Sequence, residues 1–427
     1  MKKLHWAGLA VTLSVFTVLT VMSLSDGDDA SPVSVNPQIT ASADAVRRGE
    51  YLASAGNCMH CHTQRGGAIY AGGRALETPF GSVYASNLTP DADTGIGRWS
   101  AEDFWQALHH GRSKDGHWLL PAFPYDNFTR VSREDSDALY AWLRSVPAVS
   151  QANRAHTLAW PFNSQWALGL WRALFFRAES FKSDATRSVD WNRGAYLVQG
   201  LGHCGACHAT RNALGASRDM AALSGGMIPM QNWYAPSLAS RSEATTQQWE
   251  NQELVQLLQT GTSARGWAAG PMADVVLHST QYLTLVDLTA MAIYLRDLPP
   301  SPDDHVRSTK VPESGHSEMA QGAKVYKEHC SQCHAQDGKG VPHAYPALAG
   351  SGTVNMATAV NLVQIVLNGG FAPTTAGNPR PFGMPPFALS LSDHDIAAVL
   401  SYIRTSWGNR ASEVTAQDVD RLRGHTR

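Results

Sequence analysis

The sequence has little charge, and it has no cysteine outside three short motifs. Only 16% of its 427 residues are charged, the formal net charge is −2, and no long basic or acidic run occurs. A nucleic-acid-binding surface needs concentrated positive charge, so we expect no nucleic-acid partner. The chain also has no G-x-G-x-x-G, P-loop, H-E-x-x-H or G-x-S-x-G motif. We therefore expect no substrate-oxidising site in this chain.

All six cysteines lie in three copies of the motif C-x-x-C-H, which read CMHCH, CGACH and CSQCH. The motif is typical of c-type haem attachment, in which both thiols add to haem vinyl groups and the histidine becomes an axial iron ligand. The paired cysteines are Cys58 with Cys61, Cys204 with Cys207, and Cys330 with Cys333. The predicted proximal ligands are His62, His208 and His334.

Zinc sites, redox dithiols and structural disulfides also use paired cysteines. None of them needs an adjacent histidine each time. Because three repeats take up every cysteine, the pattern favours haem over these alternatives. We predict three covalently bound haem c groups with their iron, and no disulfide.

The N-terminus has the pattern of a signal peptide or a membrane anchor. MKK precedes an uncharged run from Trp6 to Leu24 of 19 residues (24 − 6 + 1), close to the ~20 needed to span a bilayer. Hydroxyl residues dilute the run, but no small-x-small cleavage site follows it closely, which favours an uncleaved anchor. The predicted location is the periplasmic face of a bacterial inner membrane, anchored or peripherally bound.

Three similar units follow one another along the chain. Each has a glycine in a helical approach to the haem motif and, after the motif, a late helix of one pattern. These late helices read ALYAWLR from Ala138, AMAIYLR from Ala290 and AVLSYIR from Ala398. Repetition is stronger evidence than any single predicted helix. It predicts an all-α protein with three tandem class I cytochrome c domains behind the N-terminal segment.

The predicted boundaries follow from these repeats. They are residues 1–25 for the signal or anchor, 26–43 for a linker, 44–155 for domain 1, 156–185 for an aromatic interdomain segment, 186–300 for domain 2, 301–314 for a linker, 315–410 for domain 3 and 411–427 for a C-terminal tail. Predicted helix caps support them. Capping boxes with Asp in the acidic place are Ser132 with Asp135, Thr284 with Asp287 and Ser392 with Asp395, and the predicted C-cap glycines are Gly111, Gly261 and Gly369.

The C-cap glycines also locate the candidate distal ligands. Met272 lies 11 positions after its glycine (272 − 261) and Met384 lies 15 after its own (384 − 369), both in Pro/Gly-rich loops. Methionine is a common core filler, but the shared position after a shared helix favours thioether ligation. The first unit has Phe123 at 12 positions (123 − 111), and phenylalanine has no lone pair to donate.

No other methionine replaces the missing ligand of the first haem. Between the N-terminal segment and about residue 155 the sole methionine is Met59, inside the haem motif itself. The nearest candidates for a sixth ligand are His109, His110 and His117, with Asn127 and Lys114 as weaker ones. A five-coordinate or loosely ligated iron is the alternative.

Several stretches resemble a known family. TPFGSVYASNLTPDADTGIGRWS, WNRGAYLVQGLGHCGACHATRNALGA, AAGPMADVVLHSTQYLT and the three haem motifs resemble the three-haem cytochrome c subunits of membrane-bound periplasmic dehydrogenases that oxidise alcohols, aldehydes or sugars. The resemblance implies electron transfer from a partner's cofactor along the haems to membrane ubiquinone. It also implies that Met272 and Met384 are distal ligands, and that a small subunit accompanies the catalytic one.

One residue departs from the commonest form of that family. Many alcohol and sugar dehydrogenase subunits have PAMPY where this chain has PAFPY, around Phe123. Phenylalanine at this place is similar to the cytochrome subunits that accompany molybdenum-containing aldehyde or N-heterocycle dehydrogenases. The resemblance thus favours a molybdenum partner over a PQQ or flavin one.

The segment from Thr157 to Phe176 is the most aromatic part of the chain. It is interpreted either as packing between haem domains or as a docking surface for the catalytic subunit or the lipid interface. For the whole protein, the leading hypothesis is an electron-transfer subunit that passes electrons to quinone or a terminal acceptor. The alternatives are a peroxidase-like enzyme with an open first haem, for which His109 or His117 would be the distal acid/base, and a free-standing periplasmic redox shuttle.

Overall fold

A computed structural model describes residues 42–217, 219–300 and 316–424. These residues group into two compact units, of which the first comprises 42–49 with 71–180 and the second 50–70 with 181–424. The predicted anchor, nearly all of the linker 26–43 and the linker 301–314 lie outside the described residues. Within the described ranges no helix is long and apolar enough to cross a membrane.

The first unit combines short helices with a three-stranded antiparallel sheet of order β1-β2-β3. Helix α1 (Ala43–Ala55) begins in it and ends in the second unit. Its other elements are β1 (Ala75–Thr78), β2 (Gly81–Tyr84), α3 (Ala101–His110), α4 (Tyr125–Phe128), α5 (Arg133–Ser145), β3 (Thr157–Leu158) and α6 (Gln165–Phe175), while α2 (Cys58–Cys61) belongs to the second unit.

The second unit contains all three haem motifs, because the segment 50–70 groups with it. Its helices continue with α7 (Val189–Gln199), α8 (Gly205–His208), α9 (Asn251–Thr260), α10 (Pro271–His278), α11 (Leu285–Arg296), α12 (His316–His329), α13 (Ser331–His334), α14 (Gly352–Asn355), α15 (Val360–Asn368), α16 (Asp393–Thr405) and α17 (Ala416–Arg423). Two hairpins, β4 (Gly226–Ile228) with β5 (Trp233–Ala235) and β6 (Gly370–Phe371) with β7 (Gly383–Met384), lie between helices.

One helix crossing occurs three times. In α1, α7 and α12 a glycine lies against the alanine that opens the late-helix pattern, so closely that an added Cβ would come within 1.9, 2.0 and 2.3 Å of the alanine carbonyl oxygen. The three pairs are Gly49 with Ala138, Gly194 with Ala290, and Gly322 with Ala398. Only glycine permits this approach, which explains the glycine in each predicted approach helix.

A polar link accompanies each crossing. The N-cap hydroxyls of Ser132, Thr284 and Ser392 accept from the backbone N–H three residues on, as predicted. The residue before each crossing glycine then reaches the capping aspartate. The links are Arg48 to Asp135 at 2.5 Å, Arg193 to Asp287 at 2.7 and 2.8 Å, and Gln321 to Asp395 at 2.8 Å. Each link thus fixes two helices of one repeat together.

The prediction of a mostly helical protein is confirmed in the described residues, whereas the three tandem domains remain a prediction. Helices predominate, and the predicted C-cap glycines Gly111, Gly261 and Gly369 all have positive φ. The all-α prediction is wrong about the loops, where the described residues include seven short strands. Strands of two to four residues are too short for a period-two pattern to reveal them.

Candidate haem sites

Each C-x-x-C-H motif forms a single helical turn in the second unit. The histidine N–H donates to the carbonyl of the first cysteine at 3.0 Å in the first motif, 2.8 Å in the second and 3.0 Å in the third. Two thiols and one imidazole are therefore presented by the same turn. No disulfide joins any of the six half-buried cysteines.

Burial disfavours the thiolate form of the first cysteine in each motif. Burial raises the pKa of the Cys58 and Cys204 thiols to about 12, and that of Cys330 to about 11. Zinc binding and dithiol exchange both require thiolates near neutral pH. Across the described parts of the chain, no group of three or more His, Cys, Asp or Glu side chains could hold a metal ion directly.

Two of the predicted proximal histidines are oriented by a proline carbonyl. Nδ1 of His208 donates to the carbonyl of Pro236 at 2.7 Å, and Nδ1 of His334 donates to that of Pro346 at 3.0 Å. Burial lowers the pKa of both imidazoles, which keeps them neutral. With the proton on Nδ1, the Nε2 lone pair is left for iron.

Sequence reasoning missed these two prolines. The signal was a repeated P-x-L-A, which reads PSLA from Pro236 and PALA from Pro346. His62 lies half-buried just after α2.

The candidate methionines lie in the same cores as their haem motifs. Met272 is in the first turn of α10, and both it and Cys204 pack against one hydrophobic core of the second unit. Met384 is in β7 opposite Gly370, and both it and Cys330 pack against another core. Thiols, an oriented neutral imidazole and a thioether from one core are a donor set that fits haem c with His/Met ligation.

The residues around Phe123 belong to the first unit. The Phe123 ring is half-buried and packs against Phe128, with ring centroids 5.2 Å apart. Of the candidate sixth ligands, His109 is buried, His110 is half-buried, His117 and Lys114 are exposed, and Asn127 is fully buried.

His109 differs from the other histidine candidates in its surroundings. It stacks on Trp105 with centroids 4.3 Å apart and hydrogen-bonds to the backbone of Thr129. Burial lowers its pKa to about 4, so the ring is neutral. Its buried Nδ1 has no hydrogen-bond partner among the described residues.

Residues near the first haem motif contact residues near the second motif and α10 within the second unit. The hydroxyl of Ser279 donates to the carbonyl of Ala55 at 3.1 Å. The imidazole of His203, which precedes Cys204, hydrogen-bonds to the backbone of Gly56. His60 and His278 have ring centroids 4.6 Å apart. Sequence reasoning did not anticipate these contacts, because no local pattern connects residues so distant in the chain.

Comparison with known proteins identifies cytochromes c. The family model for cytochrome c matches residues 319–407, which implies covalently bound haem c in that part of the chain. The cytochrome c subunit of alcohol dehydrogenase (quinone) from Gluconacetobacter polyoxogenes is 40% identical, over 90% of this chain and 86% of its own length.

Two other relatives cover a similar share of this chain. The gluconate 2-dehydrogenase cytochrome c subunit of Pantoea cypripedii is 40% identical, over 88% of this chain and 89% of its own length. A nicotinate dehydrogenase subunit of Pseudomonas putida is 41% identical over 85% of this chain, which spans 30% of that protein.

Proposed function

Since this chain belongs to the family of cytochrome c subunits of dehydrogenases, we propose that it carries three haem c groups and passes electrons from a partner dehydrogenase to membrane ubiquinone. The observation that carries the proposal is the threefold recurrence of one haem-binding turn in a single compact unit. The partner oxidises an alcohol, an aldehyde, a sugar or a related compound, and a small subunit accompanies it. The complex acts at the periplasmic face of the inner membrane.

The chain's own residues have distinct tasks in this proposal. The cysteine pairs hold the haems, and His62, His208 and His334 are the proximal ligands. Met272 and Met384 are the distal ligands of the second and third haems. Haem supplies the reversible one-electron change of its iron, while ligands, burial and hydrogen bonds set its potential.

Purification of the protein with its native partners from detergent-solubilised membranes tests the donor side. Because phenylalanine occupies position 123, we expect metal analysis to find molybdenum and mass spectrometry to find iron–sulfur subunits. Addition of the partner's substrate should then reduce the haems, and a ubiquinone analogue should reoxidise them. If the partner contains PQQ or flavin instead, the interpretation of Phe123 is contradicted but the proposed function is not. If the substrate fails to reduce the haems, the proposed function itself is contradicted.

The surface of α6 supports the proposal that electrons are delivered to ubiquinone at the membrane. Trp166, Leu170 and Leu174 lie at i, i+4 and i+8 of this helix, and all three are exposed, Trp166 by 60% and Leu174 by 62%. Trp160, just before the helix, is 76% exposed. The opposite side of α6 is held by Arg172, which donates to the His110 carbonyl at 2.6 Å. Packing within the first unit thus leaves this apolar stripe uncovered.

The charge around the stripe favours a lipid surface. Between Asp137 and Glu179 the chain has no acidic residue, but besides the buried Arg172 it has Arg144, Arg154 and Arg177. Tryptophan-rich apolar faces beside cationic side chains are typical of helices that lie in the interface of anionic bilayers. We therefore place α6 at the membrane, where electrons reach ubiquinone.

Hydrogen exchange of the full-length protein tests this placement independently of the N-terminal segment. Phosphatidylglycerol vesicles are expected to protect peptides spanning residues 160–176, and the double variant Trp166→Ser with Leu174→Ser should lose most of that protection. A matched control is Val189→Ser with Leu389→Ser, which removes exposed apolar side chains elsewhere. Protection by the catalytic subunit in detergent, without protection by vesicles, would assign the stripe to the partner instead.

A further inference from the structure

The carbonyl that orients His208 is held by a carboxylate. Pro236 follows β5, and the next residue, Ser237, donates its backbone N–H to Glu243 at 2.7 Å. The hydroxyl of Tyr234, two residues before Pro236, donates to the same carboxylate at 3.0 and 3.1 Å. Glu243 thus holds the Ser237 backbone and the Tyr234 side chain, which lie on either side of the carbonyl that accepts from the proximal histidine of the second haem.

Strand β5 and the residue before it also form hydrogen bonds with α15, which belongs to the third haem segment, residues 316–424. Asn361, near the start of α15, accepts from the backbone N–H of Tyr234 at 2.8 Å and donates to its carbonyl at 2.8 Å. One turn later, Gln364 donates to the carbonyl of Asn232 at 3.0 Å and is almost fully buried. The two amides occupy the outer edge of β5, as a neighbouring strand would.

The proximal loop of the third haem is built differently. Shortly after Pro346, the N–H groups of Leu348 and Ala349 donate to the carbonyl of Gly338 at 2.7 and 2.9 Å. Asn409 donates to the carbonyl of Leu348 at 3.0 Å. These partners all belong to the third haem segment itself, so the two loops can be perturbed separately.

We propose that Asn361 is a positioning residue for the second haem, although it lies in the segment that binds the third. Asn361 fixes Tyr234 in β5, and β5 leads directly into Pro236. The Pro236 carbonyl in turn orients His208. The inference rests on the proposed function, since it assumes haem at both motifs. Its consequence is that the potential of the second haem depends on the docking of α15 against β5.

The direction of the effect follows from the chemistry of imidazole. A strong Nδ1–H···O bond makes the ring more basic and favours ferric iron. If the Pro236 carbonyl moves away, the ring donates less charge and the potential of that haem rises. The variants Asn361→Leu and Asn361→Ser both remove the two bonds to Tyr234 without changing net charge, so direct electrostatics would not account for a shift.

The experiment is a mediated spectroelectrochemical titration of the purified, haem-loaded full chain, with no donor or quinone present. The second haem is identified beforehand by the variant Met272→His. We expect both Asn361 variants to raise the potential of the second haem and to leave that of the third unchanged. Gln252→Leu, which alters an exposed amide of α9, is the control and should shift neither.

Two results would overturn the proposal. One is an unchanged second-haem potential in both Asn361 variants, and the other is a shift of the third haem at least as large as that of the second. Hydrogen exchange adds a readout of structure, because residues 226–238 should exchange faster in the variants. A wild-type chain that titrates without a second haem would instead contradict the proposed function, which makes the two failures distinguishable.

Discussion

Replacement of Met384 by histidine is expected to lower the potential of the third haem by a substantial part of the ~0.8 V range that axial ligands span. A thioether is a soft, weak donor that favours ferrous iron, whereas a second imidazole favours ferric iron. Met384 lies in β7 beside the core that also receives Cys330. A redox titration of the full chain measures the shift directly.

The matched control separates ligation from packing. Met356 belongs to the same segment and is 2% exposed, so it is a core methionine of the ordinary kind. Met356→Leu should cost stability and leave every potential in place. Met384→Leu should remove the third haem's share of the near-infrared band of thioether-ligated ferric haem, leaving the share of the second haem, and should add a high-spin signal. If Met384→Leu behaves as Met356→Leu does, Met384 is a core filler and not a ligand.

The elements that the sequence predicted well are local ones. Capping boxes such as Ser392 with Asp395 use residues three positions apart, and the haem turn uses five consecutive residues, so both can be recognised in a short window. The glycine in each approach helix was also visible, although its reason is not local. It permits contact with an alanine about 80 to 100 residues later, as Gly194 does with Ala290.

The features that were missed depend on distant partners. Arg48, Arg193 and Gln321 precede the crossing glycines, but their bonds to the capping aspartates join separate helices. The bonds of Asn361 to Tyr234 span 127 positions. Propensity and periodicity describe a residue's neighbours along the chain, so contacts of this kind become visible only when the helices are packed.

Substitution of Phe123 by methionine is expected to convert the first haem to the ligation of the other two. Oxidised wild-type protein should show two His/Met low-spin EPR signals at low temperature, beside a third signal that is high-spin or bis-nitrogen low-spin. The repeat predicts that Phe123 occupies the place of the methionine, and a thioether there would supply the missing soft ligand. In Phe123→Met the third signal should join the His/Met type, and the potential of the first haem should rise.

Phe128→Met is the matched control, because it introduces the same side chain in place of the buried ring that packs against Phe123. It should leave the third signal unchanged. If that signal is bis-nitrogen, His109→Gln should make it high-spin, since His109 presents a neutral ring whose Nδ1 has no protein partner among the described residues. His117→Gln should not, because the exposed His117 is solvated. Three indistinguishable His/Met signals in the wild-type protein would contradict the assignment of Phe123, since the first haem would then draw a thioether from elsewhere.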